Sequence, residues 1–154
     1  VKCNKFRRYE SMFKGKFYHT LDAKNRTIVP SKLRDELGDT FVITVGLEGC
    51  LYIYPNDEWE VFAEELKKLP GTKDARDLRR KFMSNATDCD TDKQGRFLIP
   101  AELCEEAGLV KEVVFSGNIN KIELWSKERW EKIDGALGNM DDIADKMAEY
   151  GISF

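Results

Sequence analysis

The stretch "TLDAKNRTIVP", from Thr20 to Pro30, returns in altered form as "TDKQGRFLIP", from Thr91 to Pro100. With one residue inserted, the similarity between the two copies extends about forty residues along the chain. The corresponding pairs include Asp22 with Asp92, Arg26 with Arg96, Ile28 with Leu98, Pro30 with Pro100, Gly38 with Gly108, Gly46 with Gly117 and Trp59 with Trp130. Because the shared residues fall on turn and core positions, they indicate a duplicated structural unit.

Each copy contains a turn whose conformation the local sequence predicts. The fourth residue of "DAKNR" is Asn25 and that of "DKQGR" is Gly95, the two residue types that best tolerate a positive φ. We therefore expect a tight reversal into the next strand. Asp22 and Asp92 are natural acceptors for the free backbone N–H groups of such a turn, which gives them a structural role.

Around the turn, each copy reads as strand, turn, strand, short helix and β-hairpin. Residues 13–21 alternate in polarity, which predicts a half-buried strand with His19 on the same face as Phe17. The strand after the turn ends at Pro30 or Pro100, because proline cannot donate to a central ladder and suits a helix start. The hairpin strands are "FVITVG" with "LYIYP" and "EVVFSG" with "KIELWS".

Two such copies predict one fold rather than two domains. A unit of about fifty residues buries too little core alone, so the copies should interlock about a pseudo-twofold axis. The predicted class is α+β, with a mainly β core and peripheral helices. We predict a flexible leader or cloning remnant at 1–11, a first repeat at 12–60, a helical connector at 61–84, a second repeat at 85–131 and a C-terminal helical segment at 132–154. In the last segment, Ile143 and Met147 are patterned to pack.

Composition narrows the class of protein. The chain is 42% hydrophobic and 34% charged, and it contains no apolar run near the roughly 20 residues that cross a bilayer. We expect a cytoplasmic protein without membrane association. The cysteines, Cys3, Cys50, Cys89 and Cys104, are far apart and form no C-x-x-C pair, so reduced and partly buried thiols are expected rather than a zinc site.

The net charge of −3 hides an uneven distribution along the chain. Residues 12–34 hold six basic side chains against one acid, whereas residues 102–154 hold six against twelve acids. The N-terminal part is therefore suited to meet a polyanion, while the C-terminal part keeps the whole protein soluble.

The repeated pattern D-x-x-[NG]-R-x-[LIV]-[VI]-P, with "MFKGKFYHTLD" leading into its first copy, closely resembles the MraZ family of bacterial transcriptional regulators of the division and cell-wall gene cluster. The resemblance covers residues 12 to about 150. It implies an AbrB-like swapped-hairpin β-barrel built from both repeats. It also implies ring-like homo-oligomers that associate with the nucleoid and bind short promoter repeats upstream of their own gene, with no cofactor and no small-molecule substrate.

The resemblance also implies which residues bind DNA, because the D-x-x-x-R turns carry that function in the family. The predicted DNA-binding residues are Lys24, Asn25, Arg26, Lys14, Lys16, Lys93 and Arg96. The residues predicted to shape the turns are Asp22, Pro30, Asp92, Gly95 and Pro100. Arginine has a fork of donors that suits guanine edges and phosphates, which supports the assignment independently.

The role of Arg26 has a second reading, in which it pairs with Asp22 and only stabilises the turn. The basic surroundings of the first turn favour DNA, and only Lys24 and Arg26 lack a structural reason in the sequence. Around the second turn, residues 87–103 hold two basic side chains against four acids. We therefore expect unequal turns, with the first making the main DNA contacts and the second serving mostly structure or assembly.

Two other functions are weighed against DNA binding. An enzyme is disfavoured, because His19 and Asp22 point to opposite faces of an alternating strand, and no nucleophile motif or phosphate loop accompanies them. The alternative function is an antitoxin-like protein-binding module with an AbrB-like fold, which binds its partner through an extended tail. The helical pattern of the C-terminus disfavours that reading.

Overall fold

The computed structural model describes residues 12–154. The interpretation of residues 1–11 as a leader lies outside the described residues. The strands are β1 Lys16–Thr20, β2 Arg26–Ile28, β3 Thr40–Val45, β4 Leu51–Pro55, β5 Thr87–Asp90, β6 Arg96–Leu98, β7 Glu112–Asn118 and β8 Lys121–Ser126. The α-helices are α1 Ser31–Leu37, α2 Asn56–Lys67, α3 Lys73–Ser84, α4 Ala101–Ala107, α5 Lys127–Gly135 and α6 Met140–Met147, and a 3₁₀ turn follows at Ala148–Tyr150.

The main sheet has six antiparallel strands in the order β1-β7-β8-β4-β3-β5. Each predicted hairpin forms, as β3 with β4 and as β7 with β8. The first strand of each repeat, however, pairs with the other repeat: β1 pairs with β7, and β5 pairs with β3. Exchanging the two repeats reproduces the same order, so the pairing has the expected pseudo-twofold symmetry.

A separate two-stranded ribbon joins the repeats a second time. Strand β2 pairs antiparallel with β6, so that Arg26 lies opposite Leu98 and Ile28 lies opposite Arg96. The middle residues, Thr27 and Phe97, point inward and are buried. The protein is thus a mixed α+β fold. Within residues 12–154 the outer strands β1 and β5 do not pair with each other, so the expected closure into a barrel is not shown.

The two faces of the main sheet carry different layers. On one face, Phe97 of the ribbon makes edge contacts with Phe41 and Phe115, at ring-centroid distances of 5.1 and 6.4 Å. Neighbouring strand residues point to opposite faces, so Tyr54, which lies beside Val42, faces the other way. Tyr54 stacks on Phe62 of α2 at 5.1 Å. The ribbon and the larger helices therefore lie on opposite sides of the sheet.

Helices α3 and α5 belong to the same layer as α2. Phe82 of α3 stacks on Tyr52 at 6.3 Å, and Trp130 of α5 contacts Trp125 at 6.1 Å. Tyr52, like Tyr54, points away from the ribbon. The basic helix α3 consequently lies on the far side of the sheet from the two turns.

The C-terminal helix α6 forms as predicted, but it does not pack as expected. None of its residues is buried, and the apolar side chains of Met140 and Ile143 are exposed to 65% and 37%. Met147, the other residue patterned to pack, is half-buried, so the helix packs only in part. Asn139 caps the helix by accepting from the N–H groups of Asp141 and Asp142.

Cys50, Cys89 and Cys104 are buried free thiols, as predicted, and Cys3 lies outside the described residues. Burial raises the pKa of Cys50 and of Cys89 to about 12. Among residues 12–154, no helix is both long and apolar enough to span a bilayer.

The ribbon should depend on Phe97. Replacing Phe97 with alanine removes a fully buried ring at the junction of both repeats and should lower the free energy of unfolding by about 3–5 kcal/mol. The matched control is Leu98→Ala, since that neighbouring side chain is 57% exposed and its loss should cost less than about 1 kcal/mol. Urea denaturation followed by tryptophan fluorescence measures both, and equal shifts would contradict this account of the ribbon.

Candidate nucleic-acid interface

The first turn is held by one carboxylate. Oδ1 of Asp22 accepts from the backbone N–H groups of Lys24 and Arg26, both at 2.9 Å. Oδ2 of Asp22 accepts from Nε of Arg26, also at 2.9 Å. The backbone closes the turn further, because the N–H of Asp22 donates to the carbonyl of Arg26 at 2.9 Å. The predicted role of Asp22 as a turn acceptor is confirmed.

The second turn repeats this geometry. Oδ1 of Asp92 accepts from the N–H groups of Gln94 and Arg96 at 2.9 Å, and Oδ2 accepts from Nε of Arg96 at 2.8 Å. The two arginine side chains are equally exposed, at 32% each. In their internal bonding the turns are therefore equivalent, whatever the charges around them.

Asn25 and Gly95 occupy the left-handed conformation that the sequence predicts, with φ of 61° and 77°. Their carbonyls also bond to the other repeat: the N–H of Ile99 donates to Asn25, and the N–H of Val29 donates to Gly95. Each turn is therefore hydrogen-bonded to the residue that follows the short strand of the other repeat, β6 for the first turn and β2 for the second.

The structure gives Arg26 the structural partner that the second reading of the sequence named. Its Nε donates to Asp22, so the reading in which Arg26 stabilises the turn is correct as geometry. That bond uses one nitrogen of the guanidinium. Among residues 12–154, the two Nη atoms of Arg26 make no hydrogen bond, and the same holds for Arg96. One side chain can therefore hold the turn and still present a pair of donors outward.

The ribbon brings both turns onto one surface. Arg26 and Ile28 lie on its outer face, as do Arg96 and Leu98, while Thr27 and Phe97 point inward. Since Arg26 lies opposite Leu98, it is diagonal to Arg96, and such residues are about 7–8 Å apart. The exposed lysines Lys24 and Lys93 flank the two arginines in sequence.

Two further predicted DNA-binding residues, Lys16 and Lys14, lie at the start of β1 and just before it. The ammonium of Lys16 lies 5.8 Å from the ring centroid of Trp130, in the helical layer on the far side of the sheet. Lys14 lies near Glu36. Burial raises the pKa of Glu36, and the positive charge of Lys14 offsets part of that rise. Strand β1 leads from Lys16 into the first turn, so Lys16 is separated from that turn by the length of the strand and points to the face of the sheet opposite the ribbon.

Arg34, which the sequence analysis does not single out, lies against the second turn. Its Nε donates to the carbonyl of Val29 at 2.9 Å. A Cβ atom built on Gly95 would come within 2.8 Å of the Arg34 guanidinium. The single histidine, His19, is half-buried on the same face as Phe17, as predicted; burial and the nearby Arg34 lower its pKa.

The sequence matches one family model twice, over residues 12–81 and 82–149, and the model is described as "MraZ protein, putative antitoxin-like". The two matches cover both repeats and both turns. The chain belongs to the MraZ family.

Relatives agree with this membership. A protein named "Transcriptional regulator MraZ" from Lachnoclostridium phytofermentans is 59% identical over 143 residues, which cover 93% of this chain and 100% of the relative. Proteins of the same name from Clostridium beijerinckii and Ligilactobacillus salivarius are 52% and 49% identical, each over 92% of this chain and 100% of the relative. The MraZ resemblance seen in the two motif copies is thus confirmed.

The turn carboxylates of this MraZ family member should make its stability depend on pH. The pKa of Asp22 is lowered, mainly by the backbone hydrogen bond from Arg26, and that of Asp92 is lowered mainly by the one from Arg96. A carboxyl with a lowered folded pKa contributes stability above its ordinary value of 3.8, and this contribution is lost as pH falls through the folded pKa.

Replacing both Asp22 and Asp92 with asparagine should therefore lower the urea midpoint at pH 7. The difference from the unmodified chain should shrink as the pH falls below about 4, because that chain then protonates its own carboxylates. Urea titrations at several pH values measure this. Asp134→Asn, on the exposed surface of α5, is the control and should leave the midpoint unchanged; a difference independent of pH would contradict the role of the carboxylates.

Proposed function

We propose that this chain is a sequence-specific DNA-binding transcriptional regulator that uses the outer face of the β2–β6 ribbon. The observation that carries the proposal is the diagonal pair of Arg26 and Arg96 on the outer face of the ribbon, where each arginine keeps its Nη atoms free of hydrogen bonds among residues 12–154. The printed name of the relatives, "Transcriptional regulator MraZ", supports the same function.

The chemistry of the ribbon suits a duplex. Guanidinium groups bind phosphates and the O6 and N7 edge of guanine with two parallel hydrogen bonds. A two-stranded ribbon is narrow enough to enter a major groove about 12 Å wide. Each arginine donates from Nε to its aspartate, and this bond fixes the direction of the fork before DNA arrives, which lowers the entropy lost on binding.

The acidic total charge is compatible with this function because twelve acids lie in residues 102–154, outside the two turns. A single ribbon neutralises few phosphates, so one chain should bind weakly, and each contact contributes about 0.9 to the slope of log affinity against log salt. We propose that the active form is a ring-like homo-oligomer, in the cytoplasm and associated with the nucleoid. The ring gains affinity by avidity on short promoter repeats upstream of its own gene, in the division and cell-wall gene cluster.

Replacing Arg26 or Arg96 with alanine should weaken binding to that promoter DNA by about ten- to hundredfold, the equivalent of roughly 1.4–2.8 kcal/mol. Fluorescence anisotropy with a labelled duplex measures the loss. Lys67→Ala is the control, because Lys67 lies on α2 on the far side of the sheet. Unchanged affinity in both arginine variants would contradict the proposal. A much larger loss for Arg26 would support unequal turns, and equal losses would oppose them.

Ring geometry has its own test. Changing the spacing between promoter repeats by about 5 base pairs turns one repeat to the opposite face of the duplex, since a helical turn is about 10.5 base pairs. Binding should fall at this spacing and recover at about 10 base pairs. Affinity that is independent of spacing would argue against a ring that engages several repeats together.

The second candidate function is an antitoxin-like protein-binding module. The observation that favours it is the unpacked helix α6, which leaves Met140 and Ile143 exposed. Such a face binds a groove in a partner protein in many complexes. If deleting residues 139–154 left DNA binding intact but abolished co-purification of a specific protein, this second function would be supported.

A further inference from the structure

The charge count for residues 87–103, which makes the second turn acidic, leaves out a cation that the fold supplies from the other repeat. Arg34 belongs to α1 of the first repeat, yet its guanidinium packs on Gly95 of the second turn. The contact crosses about sixty positions of sequence, so the local charge count could not include it. The surroundings of the second turn are therefore more basic than its own sequence indicates.

Arg34 breaks the symmetry between the two repeats. The corresponding position in the second repeat is Cys104, and its Sγ donates to the carbonyl of Ile99 at 3.8 Å, just as Nε of Arg34 donates to that of Val29. Cysteine has no charge and a much shorter side chain. The first turn has no equivalent cation from α4, so the fold reduces the asymmetry in charge that is expected from sequence.

The fourth residue of each turn fits the presence of Arg34 at the second turn only. Gly95 lies where a Cβ would come within 2.8 Å of the Arg34 guanidinium, whereas the first turn carries Asn25 at the same position. Both residue types tolerate the positive φ, so conformation alone does not require glycine. Glycine leaves the space that the Arg34 side chain occupies.

A cavity of about 180 Å³ lies between the two repeats at this point. That volume is many times the roughly 10–15 Å³ of such space that one water molecule needs, so it is enough for a phosphate group. Its lining includes Arg34, Thr91 and Lys93. Two carboxylates also line it: Asp92, which is already paired with Arg96, and Asp39.

We propose that Arg34 completes a binding site for a DNA backbone phosphate at the second turn, together with Lys93. This inference rests on the proposed function. Two cations then line the cavity with one remaining carboxylate, while the Thr91 hydroxyl already donates to the carbonyl of Asp39 at 3.4 Å. Nε of Arg34 is held by Val29, while its Nη atoms make no hydrogen bond among residues 12–154 and can bond to phosphate oxygens.

The main test compares Arg34→Gln with Arg34→Lys in the full-length chain. Anisotropy is measured over a range of salt concentrations with the promoter duplex and with a duplex of scrambled sequence. Arg34→Gln should weaken binding to both duplexes by the same factor, about tenfold, and should lower the salt slope by about 0.9. Arg34→Lys should retain the slope, because it keeps the charge. Lys67→Gln removes an exposed charge on the far side of the sheet and should change neither.

Gly95→Asn tests the site without touching Arg34. It should push the guanidinium away while keeping the turn, so it should weaken binding in the unmodified chain. In the Arg34→Gln background the same change should have little further effect. Additive losses would overturn the proposed contact. Circular dichroism and size-exclusion chromatography confirm that each compared variant keeps its fold and assembly.

The outcomes separate this inference from the proposed function. If Arg96→Ala weakens binding and Arg34→Gln does not, the Arg34 site is overturned and the DNA-binding function stands. If neither affects binding, both claims fail at the second turn. A loss confined to the promoter duplex would show that Arg34 reads bases, which overturns the phosphate assignment.

His19 reports on the same site by nuclear magnetic resonance, because it is the single histidine of the chain. Removing Arg34 should raise its pKa toward the usual value of 6.5. In the unmodified chain, the duplex should shift the His19 signal at concentrations where inorganic phosphate, at equal ionic strength, has no effect. Saturation by inorganic phosphate that the duplex does not displace would identify a free-phosphate site and overturn the proposal.

Discussion

The structure depends on one constraint: the first strand of each repeat pairs with the hairpin of the other repeat. Strand β1 completes the sheet at β7, and β5 completes it at β3. An unpaired strand edge would leave a row of backbone donors and acceptors open to other chains. Neither repeat can form the sheet on its own, so the duplicated sequence folds as one unit with a pseudo-twofold axis.

The same constraint creates the candidate interface. Because the first strands cross over, the turns that follow them lead into β2 and β6, which pair with each other. Two arginines that are seventy positions apart in sequence become diagonal neighbours on one ribbon. Phe97 anchors the ribbon to both halves of the sheet, through Phe41 and Phe115. The surface is therefore a joint product of both repeats.

Crossing over also changes which charges surround each turn. Arg34 extends from the first repeat to the second turn, and Lys16 is drawn to Trp130 on the far side of the sheet. A count of charges along the chain places both side chains near the first turn. In the folded protein, one lies at the other turn and the other lies in a different layer. Sequence proximity is thus a poor guide to electrostatics in a fold with exchanged strands.

The sequence alone determined the features that depend on short-range chemistry. These are the duplicated unit, the helix and strand types, the positive φ of Asn25 and Gly95, and the acceptor role of Asp22 and Asp92, because each is set by contacts within a few residues. Tertiary structure alone decided the partner of each strand, the contact of Arg34 with the second turn, and the exposure of α6. Those outcomes depend on pairing between distant segments and on which apolar helix faces pack against the rest of the protein. A local sequence pattern specifies neither. The Nε bond from Arg26 to Asp22 lies between these cases, because the sequence raised it as an alternative and only the geometry decided it.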